Sequence, residues 1–263
     1  MTLLLLIEAS DGLLAVADGR VRRTEPDGSH YILKDDARKA AFTPGASVVA
    51  LASGRLNFGS ADAAAVLESA LRRWVCSFAE SGARLTVDGA AKACFEALIA
   101  ADLAHSIPGH GVVVVVAGYD EGQDVAQVYE FTAPDTTGGP GLSPGFLQDR
   151  FLALPIYNDT SDLVRAEFGL LTTDQYCERL DHFADDPMAD FRGQLSLAGE
   201  PLSVVARSVT DVLPTFLATD PDRLDMEGIG GEWLVCRVWP NVDVEDETYA
   251  WGPMRPGTSD TST

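Results

Sequence analysis

The stretch "MTLLLLIEASDGLLAVADGR", Met1 to Arg20, decides how the fold begins. Leu3 to Ala9 and Leu13 to Asp18 are apolar runs separated by Ser-Asp-Gly, a turn signal in which Gly12 is expected to adopt a positive φ. The spacing predicts a β-hairpin. Because both runs are apolar at successive residues, both faces of the hairpin are expected to be covered, as in the inner layers of a sandwich.

The remaining elements come mostly in pairs. The polar segment 20–36 is predicted to be a loop or an extended arm, and residues 38–42 and 46–53 a second strand pair around Pro44-Gly45. Two helices follow, one capped by Ser60 and ended by Gly82 and one beginning near Asp88. The later elements are, in chain order, a hairpin over 111–119 and 125–131, a loop over 132–145, a helix capped by Thr172, a helix that begins at Pro201 and is kinked or ended near Pro214, and strands over 232–240 and 244–251.

This order predicts an α+β fold in which two facing sheets carry a helix pair on each outer face. The chain has 263 residues, of which 46% are hydrophobic, so it can bury the core of one large domain. We expect that domain over residues 2–252 and a disordered polar tail over 253–263.

Charge and cysteine content exclude several classes of function. Forty acidic against nineteen basic residues give a net charge of -21, which would repel nucleic acids and anionic membrane surfaces. Cys76, Cys94, Cys177 and Cys236 lack the spacing of a zinc site and are expected to be buried apolar residues, so we expect no metal and no cofactor. The apolar runs are too short for a signal peptide or a membrane span, and we expect a cytoplasmic protein.

Several stretches together resemble a known family. A strand that begins at a threonine, a turn with Asp-Gly and an apolar strand ending in Ala-Asp-x-Arg are similar to the start of proteasome β-type subunits and their bacterial relatives, which are N-terminal-nucleophile hydrolases. Here the pieces are Thr2, "SDGLLAVADGR" and Asp18, which lies sixteen residues after Thr2. The stretches "ARKAAFTPGASVVALASG", "VVVVVAGYDEGQDVAQVYEF" and "GIGGEWLVCRVWP" resemble the family's lysine-bearing strand pair, its central hairpin and the glycine pair before its closing strands.

The resemblance covers roughly residues 2–251 and implies a four-layer αββα sandwich, with two antiparallel sheets between helix pairs. It also implies a hydrolase that cleaves peptide or amide bonds through an acyl-enzyme on Thr2. A threonine hydroxyl is a weak nucleophile, and the threonine's own α-amino group, with an ordinary pKa of about 8, can activate it at neutral pH. Thr2 can act only after Met1 is removed, and a residue as small as threonine permits ordinary methionine removal without a propeptide.

A lysine beside the threonine would need an aspartate to orient it and balance its charge, and Asp18 is predicted to do so. Two lysines are candidates, Lys39 by motif and Lys34 by counting from Thr2. Lys39 is preferred because it opens the strand pattern that resembles the family's, whereas Lys34 lies in the polar arm that would be a five-residue insertion. By resemblance, the backbone N–H of Gly54 is predicted to donate to the oxyanion of the reaction.

Two features of the family lack a clear counterpart. One is a glycine- and serine-rich segment, where this chain has "GFLQDRFLALPIYNDTSD". The other is the aspartate and serine ahead of the closing glycine pair, where "DMEGIGG" offers only Asp225. Two alternatives therefore stand beside the peptidase: a catalytically inactive assembly subunit and a small-amide hydrolase on the same fold.

The predicted partners follow from the same resemblance. It implies a peptide or unfolded-protein substrate, a homo-oligomer in the form of a ring or a related multimer, and an ATPase as a candidate partner. Large aromatic residues on the predicted helices, such as Trp74, Phe78, Tyr176 and Phe183, are expected to lie in part on faces that such an assembly would cover.

Overall fold

The structure, a computed structural model, describes residues 3–24, 30–54, 56–58, 61–105, 112–133, 163–166, 200–219 and 230–250. The strands in this part of the chain are β1 (Leu3–Glu8), β2 (Leu13–Asp18), β3 (Val21–Thr24), β4 (His30–Lys34), β5 (Ala40–Phe42), β6 (Val48–Gly54), β7 (Asn57–Phe58), β8 (Ala61–Asp62), β9 (Val112–Tyr119), β10 (Ala126–Ala133), β11 (Leu163–Ala166), β12 (Glu232–Val238) and β13 (Glu245–Ala250). The helices are α1 (Ala63–Ser81), α2 (Val87–His105) and α3 (Leu202–Thr219).

Nine of these strands form two antiparallel sheets. The five-stranded sheet has the order β11-β1-β2-β12-β13, and the four-stranded sheet has the order β10-β9-β6-β5. Neighbouring strands are antiparallel throughout both sheets. The described chain therefore combines helices with two antiparallel sheets, as the order of the sequence patterns predicts.

The two sheets pack face to face around a shared apolar core. Leu6, Ala15 and Cys236 of the five-stranded sheet lie in one buried cluster with Leu51 and Val115 of the four-stranded sheet. All six residues of β2 are buried, including those whose side chains point away from this cluster. The prediction that both faces of the first hairpin are covered is confirmed for β2.

Helices pack against both sheets. α1 and α2 pack on each other and on the four-stranded sheet, where Leu71 and Leu98 share a buried cluster with Val114 and Phe131. α3 contacts β2 of the five-stranded sheet, and its Val205 and Val209 are fully buried. In α1, Leu67, Leu71 and Trp74 recur at helical spacing and are all buried, so they form the packed face of this helix.

The ends of the helices differ in part from the prediction. The Asp62 side chain caps α1 by accepting a hydrogen bond from the Ala65 N–H at 2.7 Å, in the place that the sequence assigned to Ser60. Gly82 ends α1 in a left-handed conformation, as predicted. α3 begins directly after Pro201 and continues through Pro214 to Thr219, so of the two outcomes predicted at Pro214, a kink or an end, the end does not occur.

Parts of the polar segment after Arg20 form strands, which were not predicted. β3 and β4 pair as an antiparallel hairpin with an irregular register between Val21 and Arg22, where a loop or an extended arm was expected. The edge strand β11, which pairs Ala166 with Leu3, was not predicted at all. Its four residues are too few to show a period.

Glycine 12 has a different role from the predicted one. The hairpin between β1 and β2 is present, but Gly12 is not among the glycines with positive φ. A Cβ there would lie 2.5 Å from the Leu202 side chain and 2.8 Å from the Val238 carbonyl oxygen. Gly12 is thus required because α3 and β12 approach the turn closely.

Side-chain burial corrects two further expectations. Cys94 and Cys236 are buried as expected, but Cys76 is exposed on α1. Trp74 is buried and packs edge-on against the half-buried Phe78, so it does not lie on an open helix face. The segment 253–263 and the helix predicted from Thr172, with its Tyr176, Cys177 and Phe183, lie outside the described residues. None of the helices in the described ranges is long and apolar enough to cross a membrane.

The stacked sheets have two ends of different composition. We call the end at which β2 reaches Asp18 and β6 reaches Gly54 the site end. At the opposite end, called the turn end, lie the turns 43–47, 120–125 and 239–244. The antiparallel registers fix this division, since Trp233 pairs with Asp18 and Val112 pairs with Gly54 at the site end.

Candidate active site

Three of the four predicted catalytic residues lie at the site end. Asp18 is the last residue of β2, Lys39 directly precedes β5, and Gly54 is the last residue of β6. Thr2 lies outside the described residues, but Leu3, to which it is bonded, begins β1. Leu4 pairs with Ala17, and the next positions along the two strands are Leu3 and Asp18.

Lys39 and Asp18 form a buried ion pair that joins the two sheets. The Lys39 Nζ atom donates to Asp18 Oδ1 at 2.7 Å, and neither side chain is exposed to solvent. The carbonyl oxygen of Lys39 accepts a hydrogen bond from the Ala52 N–H at 2.8 Å, which fixes the backbone behind the ammonium group. Lys34, the other candidate, is exposed in β4. The structure thus brings Lys39, and not Lys34, to Asp18.

The second oxygen of Asp18 faces two backbone amides. The Arg20 N–H donates to Oδ2 at 3.3 Å, and the Gly230 N–H donates to the same atom at 3.4 Å. One amide comes from the segment that follows β2, and the other from the segment that leads into β12. Contacts on both oxygens fix the orientation of the carboxylate, and through it that of the Lys39 ammonium.

Burial and the neighbouring charges shift the pKa of Lys39 in opposite directions. Burial lowers the pKa of the Lys39 amine, the Asp18 charge and hydrogen bond raise it, and the nearby Arg20 charge lowers it further. The burial effect is the largest, so the net pKa lies below its ordinary value. The ammonium form is held by its partner while the proton is bound less tightly than on a surface lysine, which suits a group that takes part in proton chemistry.

A second ion pair lies directly beside the first. Arg20 Nε donates to Asp35 Oδ1 at 2.6 Å, and the exposed fractions of the two side chains are 3% and 22%. Arg20 belongs to the motif that follows Asp18, but the sequence indicated no role for it. Asp35 was not predicted. Nothing in the run of charged residues around Asp35 distinguishes it from the exposed Asp36.

The glycine pair before β12 was noticed in the sequence, and the structure gives the physical reason for it. Gly230 and Gly231 have φ values of 139° and 79°. A Cβ on Gly231 would lie 2.2 Å from the Asp35 carbonyl oxygen, and one on Gly230 would lie 3.1 Å from the Arg20 guanidinium. The close approach of the Asp35 backbone requires glycine at position 231, and the positive φ favours glycine at both positions.

The remaining site predictions are placed only in part. Gly54 pairs with Val112 in the four-stranded sheet. Asp225 and the segment 145–162 lie outside the described residues. Within the described ranges, no group of three or more His, Cys, Asp and Glu side chains could hold a metal ion.

Comparison of the chain with protein-family models and with curated proteins gives no match.

Proposed function

We propose that this chain is a proteasome-like N-terminal-threonine hydrolase that cleaves peptide or amide bonds through an acyl-enzyme on Thr2. The observation that carries the proposal is the fully buried Lys39–Asp18 pair at the end of the strand beside β1. A buried ion pair adds little net stability compared with apolar residues of the same volume. Its place next to the strand that Thr2 precedes is therefore better explained by chemistry than by stability.

The proposal includes the finer fold, a four-layer αββα sandwich. Two features support it: α1 and α2 cover the four-stranded sheet, and α3 lies against the five-stranded sheet. The proposed partner of α3 in the fourth layer is the helix predicted to begin at Thr172.

The proposed chemistry starts from a mature chain whose first residue is Thr2. The Thr2 hydroxyl attacks the substrate carbonyl carbon while its proton passes to the free α-amino group. That proton then goes to the leaving amine as the C–N bond breaks. Water hydrolyses the resulting ester, which releases the acid product and restores the threonine.

Lys39, Asp18 and Gly54 have distinct tasks in this scheme. The Lys39 ammonium lowers the energy of the developing alkoxide on Thr2 and keeps the α-amino group neutral by charge repulsion. Asp18 balances and orients the ammonium group. The backbone N–H of Gly54, at the end of β6, is the proposed donor to the oxyanion.

A peptide epoxyketone tests this proposal, because it forms a stable ring only with the hydroxyl and the free amine of an N-terminal threonine. We expect the intact mass of the purified protein to show loss of Met1, and the wild type to be labelled on Thr2. Thr2→Ala and Lys39→Ala should not be labelled, whereas Lys34→Ala should be labelled like the wild type. Circular dichroism of each variant checks that it is folded. A folded protein that retains Met1 and takes no label contradicts the proposal and favours the inactive assembly subunit.

The proposal extends to assembly and partners. We propose a homo-oligomer, a ring or a related multimer, that acts on peptides or unfolded proteins, with an ATPase as the candidate partner that delivers them. Since the chain carries a net charge of -21, the oligomer should tighten when salt screens the repulsion. Light scattering coupled to size-exclusion chromatography at low and moderate salt checks this. A sharp 28.0 kDa species at all micromolar concentrations would contradict assembly and leave a monomeric amide hydrolase.

A further inference from the structure

Asp35 lies where three segments of the chain meet at the site end. Its carboxylate accepts from Arg20 Nε at 2.6 Å, and its carbonyl oxygen accepts from the Glu232 N–H, also at 2.6 Å. Two residues further along, the Ala37 N–H donates to the Gly19 carbonyl oxygen at 2.8 Å. Residues 35–37 are thus bound to the segment that follows Asp18 and to the segment that begins β12.

These two segments are the ones that carry the amides around Asp18. The Arg20 N–H and the Gly230 N–H both donate to Asp18 Oδ2. The approach is tight, since a Cβ on Gly19 would lie 2.8 Å from the Asp35 carbonyl oxygen, and one on Gly231 only 2.2 Å from it. A shift of Asp35 would therefore move both donors relative to the carboxylate that holds Lys39.

We infer that Asp35 is a positioning residue for the proposed Thr2 site, and that it acts on Lys39 through Arg20. This inference rests on the proposed function for its catalytic meaning, but the contacts that carry it are independent of that function. The Asp35 carboxylate balances a guanidinium that is 3% exposed, and its backbone fixes the segments that flank Asp18.

The charges around Lys39 show how the effect is transmitted. Asp18 of β2 and Arg20, which follows β2, are the described groups whose charges act on the Lys39 amine, and Arg20 lowers its pKa. Asp35 is a carboxylate that pairs with Arg20. When Asp35 is neutral, its negative charge no longer opposes the effect of Arg20 on Lys39 in a medium of low polarity, and Lys39 loses its proton at a lower pH.

The test compares Asp35→Asn with Asp36→Asn, which makes the same charge change at the exposed neighbour. The titration midpoint of Lys39 is followed by NMR of ¹³C-labelled lysine in the full chain. We expect Asp35→Asn to lower this midpoint by about one pH unit, and Asp36→Asn to leave it within about 0.2 units. Asp35→Glu, which keeps the charge, should have a Lys39 midpoint close to that of the wild type.

A second readout concerns the proposed reaction. The rate of epoxyketone labelling is measured against pH, and the alkaline limb of the profile should move to lower pH in Asp35→Asn, with the concentration for half-maximal labelling unchanged. A purely structural role would lower the rate equally at all pH values. If the wild type takes no label, the proposed function fails, and the NMR titration still decides whether Asp35 acts on Lys39.

A second pair of variants covers the case in which Asp35→Asn does not fold, since that substitution removes a carboxylate that pairs with the buried Arg20 side chain. Arg20→Gln should raise the Lys39 midpoint above that of the wild type, because the guanidinium that lowers the pKa of Lys39 is gone. The double variant Arg20→Gln/Asp35→Asn, which also lacks the Asp35 charge, should have a midpoint below that of Arg20→Gln. A midpoint that Asp35→Asn leaves unchanged, or that is the same in Arg20→Gln as in the wild type, overturns the inference.

Discussion

At the site end of the stacked sheets, the contacts between segments are made by buried charges, whereas at the turn end they are made by neutral backbone groups and exposed side chains. Lys39 and Asp18 join the two sheets at the site end with no solvent exposure of either side chain. At the turn end, Gly45 N–H donates to Asp243 and Gly122 N–H to the Asn241 side chain, each at 2.7 Å and each exposed.

Segments are held together at both ends of the stacked sheets, but by different chemical groups. At the turn end, the Ser47 hydroxyl donates to the Val242 carbonyl oxygen and accepts from the Val242 N–H. One side chain therefore bonds the 239–244 turn to the four-stranded sheet. These bonds need no desolvated charge. A charged pair is therefore not required to hold the sheets together. Among the described residues, a fully buried pair lies at the site end only, which is consistent with a chemical role there.

Replacement of Lys39 should have the largest effect. Lys39→Met keeps most of the buried volume but leaves the Asp18 carboxylate without the ammonium group, which should lower the unfolding free energy by about 3–5 kcal/mol. The exposed Lys34→Met should change it by less than about 0.5 kcal/mol. Urea unfolding followed by circular dichroism measures both. Equal small losses would show that the pair is not desolvated, and the contrast between the two ends would not hold.

Alanine substitutions at two glycines with similar φ values distinguish the cost of backbone strain from the cost of a steric clash. Gly231 and Gly122 have φ values of 79° and 75°, but an added Cβ meets the Asp35 carbonyl oxygen at 2.2 Å in the first case and nothing within 4 Å in the second. Gly122→Ala should cost about 1 kcal/mol of unfolding free energy, and Gly231→Ala about 2–4 kcal/mol. Chemical denaturation of both variants checks this. Similar costs would mean that the 35–37 segment moves aside easily.

At the turn end, single hydrogen bonds should matter less. Asp243→Ala removes the acceptor of the Gly45 N–H and should lower the unfolding free energy by about 1 kcal/mol. Asp246→Ala on the exposed edge strand β13 is the matched control, with an expected change within about 0.5 kcal/mol. A loss at Asp243 as large as that at Lys39 would make the two ends equivalent.

The smallest effect depends on pH. Burial raises the pKa of Glu8, at the turn end of β1, to about 7 from 4.5. Because the ionised form is disfavoured in the fold, the unfolding free energy falls as the pH rises from about 4.5 to 7. Glu8→Gln removes this fall and should stabilise the protein by about 1 kcal/mol at pH 8, after allowance for screening of a partly exposed group, and not at pH 4.

Thermal and urea unfolding at both pH values measure this difference, with exposed Glu80→Gln on α1 as the control. A gain of the same size at pH 4 would mean that packing, and not ionisation, sets the effect at Glu8.

The sequence was informative where a local pattern dictates a structure. Continuous apolar runs predicted β2 as a strand buried on both faces. The choice of Lys39 over Lys34 depended on matching a motif, and the structure places Lys39 against Asp18. Counting residues from Thr2 pointed to Lys34, which is exposed in β4 of the β3–β4 hairpin and does not lie against Asp18.

What could not be predicted depends on contacts between distant segments. Asp35 belongs to a charged run without periodicity, and only the fold brings its carbonyl oxygen to Glu232. The role of Gly12 was misassigned because a sequence shows that a turn contains glycine but not that Leu202 packs against it. β11 was missed because a four-residue edge strand carries too little pattern to be distinguished from a loop.

The Gly230–Asp18 contact also bears on the order in which the protein folds during synthesis. These two residues are 212 positions apart, whereas the four-stranded sheet and its two helices are built entirely from residues 40–133. Pairings over long separations close late, and a chain emerging from the ribosome forms its amino-terminal units first. β2 can therefore pair with β12, the second-last strand among the described elements, only late in synthesis. A growing or truncated chain without β12 lacks part of the hydrogen-bond shell around Asp18, so the charged centre is completed only after the segment that contains Gly230 has been made.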